Sequence, residues 1–263
     1  MSIQAPQRSQ QQGEQVDAGE DKNLTLLEHL AELRHRLMIC AGVLVLTMIV
    51  SFYPLTMWTL EWMKVPAEGR VENFELIFTK PLEYVTAYFR VSLLLGITLA
   101  MPVFLWQGLA FVGPGLTKNE KRWAYPIILG ASAMFVAGCA FAYYVEMPPA
   151  LSFLLNFGGD VATPLISVQE YINFVTRLMF VTGLVFETPL VVMGLAKIGL
   201  VNSRSLLRWW RFAFIGAFIL SAIVTPSIDP VTQTLVALPM IVLYFVGIGL
   251  AKLVEKNPII PRQ

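Results

Sequence analysis

"VTGLVFETPLVV", Val181–Val192, lies in a long apolar run and holds one ionisable residue, Glu187. Lipid tolerates every neighbour of that acid. A carboxylate at the centre of a bilayer is expensive unless it is protonated, paired or wetted. The stretch therefore poses two linked questions: whether this run crosses a membrane, and why an acid is kept within it.

The whole chain answers the first. It has 263 residues, 56% of them hydrophobic and 14% charged, with a mean hydropathy of +0.63. Water cannot solvate so much apolar surface with so few charges, so most of the chain has lipid as its solvent. The net charge of +1 gives no basic field of the kind nucleic acid requires. Around Glu187, Arg177 and Lys197 each stand ten residues away. At 1.5 Å per residue that is about 15 Å on either side, which puts the two cations at the interfaces and Glu187 near mid-membrane.

Six apolar segments emerge: Leu37–Met57, Val91–Val112, Tyr125–Val145, Phe174–Ile198, Phe212–Val224 and Leu235–Ala251. The expected fold is an all-α integral membrane protein of six transmembrane helices, the last two spans short and joined by "TPSIDPVTQ". Pro54, Pro102, Pro126, Pro189, Pro226 and Pro239 fall in or at the ends of the segments and predict bends. Lys and Arg gather before the first segment, in the links after the second and fourth, and in the C-terminal tail, while the links after the third and fifth have none. The first outer link, 58–90, is the exception, with Lys64, Arg70, Lys80 and Arg90 offset by five glutamates. By the positive-inside rule both termini are cytoplasmic. Residues 1–23 are polar and read as a disordered tail, 24–255 as the membrane domain and 256–263 as a cytoplasmic tail. The composition of 1–23 lacks the apolar core of a signal peptide.

Four local stretches carry side chains of interest. "TLLEHLAELRHRL", Thr25–Leu37, predicts a helix with a Thr25/Glu28 capping box, an apolar leucine stripe and a Glu32/Arg36 pair one turn apart. Its polar face offers Glu28 and Glu32 to a basic peptide, with Arg34 in the same segment. "FVGPGLTKNEKR", Phe111–Arg122, turns at Pro114-Gly115 and restarts a helix with Thr117 and Glu120 as a capping box. "SVQE", Ser167–Glu170, predicts a helix start near Val168, and "FTKPLE", Phe78–Glu83, another with Glu83 in its first turn. In "TPSIDPVTQ", Asp229 and Pro230 suit the cap and first position of the last span.

Both histidines, His29 and His35, lie six residues apart in the first helix, so a metal site is not expected. No HExxH, phosphate-binding GxxxxGK loop or Ser/His arrangement occurs, so neither an enzyme nor a cofactor is expected.

From about Leu24 to Leu250 the chain resembles the TatC family, the multispanning receptor subunits of the twin-arginine protein translocase. "EHLAELRHRL", "FVGPGLTKNEKR", "FETPL" and "TPSIDPVTQTLVALPM" carry the resemblance, in family order. It implies a subunit of the bacterial inner membrane that binds the twin-arginine signal peptides of folded cargo at its cytoplasmic face. It also implies assembly with single-span Tat partner subunits in an oligomeric complex, for export driven by the proton-motive force. Carried over by motif, Glu32 and Glu120 match acidic recognition positions, and Phe111 and Pro114 match positions that shape the same link. Glu187, beside Pro189, matches a polar intramembrane position facing the partners. Thr225 and Gln233 match docking positions of the final hairpin, and Asp229 an outer-side acid. Phe245 departs from the pattern, standing where the family often has Glu.

A competing reading is a proton-coupled secondary transporter of small solutes with Glu187 as proton carrier. Such transporters are commonly built from repeated halves, and no repeat is visible here. A purely structural membrane scaffold leaves Glu187 unexplained.

Overall fold

Inside a bilayer the backbone finds no water, so the apolar runs must satisfy their N–H and C=O groups within helices. The computed structural model describes residues 8–68, 76–112, 118–156, 165–197, 199–225 and 229–255, the side chains of 8–27, 112 and 118–124 excepted. In chain order the helices are α1 (Arg8–Phe52), α2 (Leu55–Glu68), α3 (Glu83–Val112), α4 (Lys118–Phe141), α5 (Met147–Asn156), α6 (Val168–Lys197), α7 (Ser203–Arg208), α8 (Trp210–Val224) and α9 (Pro230–Val254). A π-helical turn, Ala142–Glu146, joins α4 to α5. Two short strands, β1 (Leu76–Ile77) and β2 (Ile166–Ser167), pair in parallel and tie the α2–α3 link to the start of α6.

Among the described residues, five stretches are long and apolar enough to cross a membrane: Glu28–Phe52, Glu83–Phe111, Tyr125–Leu155, Val168–Lys197 and Pro230–Val254. The remaining apolar segment forms α8, whose 15 residues extend only about 22 Å. The last segment departs from expectation. The hydropathy pattern predicts a short span, Leu235–Ala251, but α9 has 25 residues, because "PVTQT" at its start continues the helix from the Asp229 cap. The third segment also runs beyond Val145, through the π turn to Leu155. The first stops at Phe52, short of Met57, where Pro54 supplies no N–H to continue it.

At the other end of α1 the helix is continuous through the stretch expected as a disordered tail, from Arg8 onward. Gln and Glu there are good helix formers, and the Thr25/Glu28 box lies inside the helix instead of starting it. The other predicted starts fit better: α6 begins at Val168 and α3 at Glu83. Ser167, however, spends its hydroxyl on Glu83 Oε2 at 3.0 Å, and Glu83 also accepts from Thr79 Oγ1 at 2.6 Å. One carboxylate thus fastens α3 to the entry of α6.

α6 is the central element, packed against α9, α4 and α3, while α1 rests mainly on α3 and α8 on α9. Small residues let the backbones close up. A Cβ on Gly138 of α4 would lie 2.8 Å from the Cα of Gly183 on α6, and one on Gly247 of α9 would lie 3.3 Å from the Cα of Pro189. Hydroxyls supply the polar adhesion between α1 and α3: Thr47 Oγ1 donates to Gly96 O at 2.9 Å and Ser51 Oγ to Ser92 O at 3.3 Å. The helices run on through Pro102, Pro126, Pro189 and Pro239.

Candidate functional site

Three groups of polar side chains stand out. The first joins α1 to α3. Glu32 accepts from Arg36 one helical turn on, Nε and Nη2 both reaching Oε1 at 3.0 and 2.5 Å. The same guanidinium donates from Nη1 to Gln107 Oε1 on α3 at 3.1 Å. One turn before Glu32, the His29 ring stacks on Phe111 of α3, with centroids 4.5 Å apart and planes inclined by 21°. Its Nδ1 lies 3.9 Å from Glu32 Oε2. Helical spacing places His29, Glu32 and Arg36 on one face, and the α1–α3 packing presents Gln107 and Phe111 to it.

Two predicted residues, Glu32 and Phe111, are thereby brought into one cluster. Glu28, a turn earlier, is exposed, and Arg34 is exposed on another side of α1. Pro114 lies outside the described residues, as does the side chain of Glu120, whose backbone belongs to the first turn of α4. Sequence reasoning paired Glu32 with Arg36 but missed Gln107 and the His29–Phe111 stack. Such contacts between α1 and α3 leave no periodic signal.

The second group is intramembrane. Glu187 is 5% exposed, and among the described residues neither of its oxygens has a hydrogen-bond partner. It does not bond the backbone that Pro189 releases. Pro189 is itself buried against α9 at Gly247. A second buried acid, Glu146, lies one residue beyond the predicted segment Tyr125–Val145, so the sequence does not single it out. It closes the π turn at 1% exposure, accepts from Thr182 Oγ1 of α6 at 2.7 Å, and leaves Oε1 without a partner among the described residues. The apolar "MPPALSFLL" beyond it was the available signal.

The third group is the α8–α9 hairpin. Thr225, buried, donates to Ser221 O at 3.0 Å, and Ser221 Oγ donates to Gln233 O at 2.6 Å. Ser221 therefore brings together the two predicted residues, Thr225 through its side chain and Gln233 through its backbone. Asp229 caps α9, with Oδ1 accepting from Thr232 N at 2.6 Å and Pro230 following it in the first turn. At the far end of α9, Phe245 is 43% exposed.

Apolar helices of spanning length around buried acids define a multi-pass α-helical membrane protein. The model of the family described as "Sec-independent protein translocase protein (TatC)" matches residues 28–239. A relative from Synechocystis sp., the Sec-independent protein translocase protein TatC, is 40% identical over 90% of this chain and 91% of its own length. The protein of that name from Deinococcus radiodurans is 37% identical over 86% and 85%. A solved structure, "Crystal Structure of Twin Arginine Translocase Receptor- TatC", superposes with a TM-score of 0.78 at 36% identity, covering 86% of this chain and 99% of that one. The chain belongs to the TatC family of Sec-independent protein translocase proteins, and so to the machinery of twin-arginine protein transport.

Proposed function

We propose that this chain is the receptor subunit of a twin-arginine translocase. It binds the signal peptides of folded cargo at the cytoplasmic face of the bacterial inner membrane and assembles single-span partner subunits for export driven by the proton-motive force. In this reading both termini are cytoplasmic, α8 is a sixth span in a locally thinned bilayer, and the prolines bend the helices into a shaped wall.

One observation carries the recognition role: Glu32 already holds a guanidinium in a two-donor grip, beside the stacked His29–Phe111 pair. Arginine suits such a carboxylate because its planar fork gives directional bonds that lysine cannot copy. Glu32 and Glu120 are the two recognition acids, Glu28 adds charge on the approach to them, and Phe111 and Pro114 shape the link. Arg34, exposed on another side of α1, adds a positive charge at the edge of the site. Glu187, buried without a partner among the described residues, is the group a polar residue of a partner helix would meet. Thr225 and Gln233 are the partner-docking positions of the hairpin, and Asp229 is the outer-side acid.

Photocrosslinking a twin-arginine peptide to the chain in native membranes, beside a twin-lysine control, tests the reading. Crosslinks should require arginine and fall sharply in Glu120→Gln and Glu32→Gln. Equal crosslinking of both peptides would overturn it. Solute uptake by the purified chain alone in liposomes would favour the transporter instead.

A further inference from the structure

α2 has 14 residues, three of them the charged Glu61, Lys64 and Glu68, so unlike the apolar α8 it is no candidate span, and it lies at the end of α1 remote from Glu32. Its positions divide into three stripes, about 120° apart at 100° per residue. Thr56, Thr59, Leu60, Met63, Pro66 and Ala67 are buried. Met57, Glu61, Lys64 and Glu68 form a mainly charged stripe, following i, i+4, i+7 and i+11. Leu55, Trp58, Trp62 and Val65 form the third, which is apolar and open, with Trp58 67% and Val65 54% exposed. A helix packed on a water-soluble surface has use for one apolar face. A second, exposed one calls for a second apolar medium.

The bundle fixes how α2 is rotated. Pro66 has no N–H to give Trp62 O, and Tyr143 Oη donates to that carbonyl at 2.8 Å. Tyr171 Oη donates to Met63 O at 2.7 Å. The Trp62 ring stacks on Tyr143 at 3.7 Å and lies 6.0 Å from Tyr144. Tyr144 and Val145, both exposed, belong to the Tyr125–Leu155 span. At its other end α2 follows directly on the exposed Ile49, Val50 and Tyr53. The open stripe is therefore continuous with the outward-facing surface of two spans.

We infer that α2 is an interfacial helix lying along the outer lipid surface. Leu55, Trp58, Trp62 and Val65 sit at the boundary of headgroups and acyl chains, and Glu61, Lys64 and Glu68 in water. Tryptophan suits that boundary, having an apolar body and one donor. The helix thereby sets the depth of the bundle. Counting about 20 residues back from Phe52, roughly the 30 Å of a hydrocarbon core, arrives at Glu32. The lipid contact of α2 thus holds the Glu32 cluster at the opposite interface.

Nitroxide labels at Trp58→Cys, Val65→Cys, Glu61→Cys and Lys64→Cys test this, in the full chain carrying Cys40→Ala and Cys139→Ala and reconstituted in liposomes. Labels at 58 and 65 should collide several-fold more with oxygen than with a water-soluble nickel chelate, and labels at 61 and 64 should show the reverse. Equal access of the nickel chelate to all four would overturn the inference. Protection of 58 and 65 from both reagents would overturn it too, since a protein partner would then cover the stripe. The chain with native cysteines gives a second readout. Lipids brominated near the headgroup should quench its tryptophan emission, and Trp58→Phe should remove part of that quenching. No change would overturn the assignment.

Discussion

Arg36 donates from Nε and Nη2 to a single oxygen of Glu32, so this carboxylate is engaged by a guanidinium of its own chain before any peptide arrives. An incoming arginine has to share or displace it. The pair is partly exposed, with side chains 23% and 36% accessible, and one-turn pairs of this kind contribute about 0.3–0.5 kcal/mol. Displacement is therefore cheap. Arg36→Gln should leave the melting temperature nearly unchanged and keep or tighten twin-arginine peptide binding by a few-fold. Glu32→Gln should weaken binding about tenfold or more, since a charge-assisted bond is worth about 1.5–3 kcal/mol. Peptide titration of both variants in nanodiscs reads the opposite signs. Parallel losses would mean that Arg36 holds Glu32 in place and does not compete for it.

Glu187 invites a trade between stability and transport. Its oxygens are buried and unpartnered among the described residues, which is costly in the isolated chain. Glu187→Leu should raise stability by about 1–3 kcal/mol, visible as a higher melting temperature in detergent, and should abolish export while leaving peptide binding intact. A variant that exports normally would remove the acid from the mechanism.

Much of the architecture was legible because hydrophobic length and capping chemistry are local. Asp229-Pro230 and the start at Val168 could be read from a few residues each. What escaped depends on contacts between distant helices. The Arg36–Gln107 bond spans 71 positions, and nothing in either segment announces it. Glu146 escaped for a different reason: a charge at the end of an apolar run reads as an interface residue, whereas the π turn carries the helix onward and takes the acid inside. Ser167 stands at the predicted start of α6, yet its hydroxyl serves the carboxylate of Glu83, 84 positions away.

The Glu146–Thr182 contact can be weighed by a double-mutant cycle. Thr182→Val removes the donor to Oε2 while Oε1 already lacks a partner among the described residues, so it should cost about 1–3 kcal/mol. Glu146→Leu combined with Thr182→Val removes both polar groups, and the pair should cost less than Thr182→Val alone. Denaturation in detergent micelles reads all four chains of the cycle, Glu146→Leu alone included. Simple additivity would mean that the two side chains do not sense each other.

Gly138 and Gly183 set how closely α4 approaches α6. A methyl group on Gly138 would meet the Cα of Gly183 at 2.8 Å and the Phe186 side chain at 2.9 Å. Backbone cannot swing aside, so Gly138→Ala must push the helices apart, at about 1–3 kcal/mol. Gly183→Ala meets the Phe135 ring at 2.8 Å and Cys139 Sγ at 3.1 Å, side chains that can yield more readily, so it should cost less. Gly42→Ala is the control. Nothing lies within 4 Å of its added carbon, and alanine's better helix propensity should make it neutral or slightly stabilising. Glu187 stands one turn beyond Gly183, so the wedge at Gly138 also loosens the packing around that acid. Gly138→Ala should accordingly lower export more than peptide binding, because the Glu32 cluster is built from α1 and α3 and not from the α4–α6 contact. Melting curves and paired binding and export assays on the three variants check the order. A Gly138→Ala chain as stable as the Gly42→Ala control would show that the α4–α6 crossing has slack the close approach does not suggest.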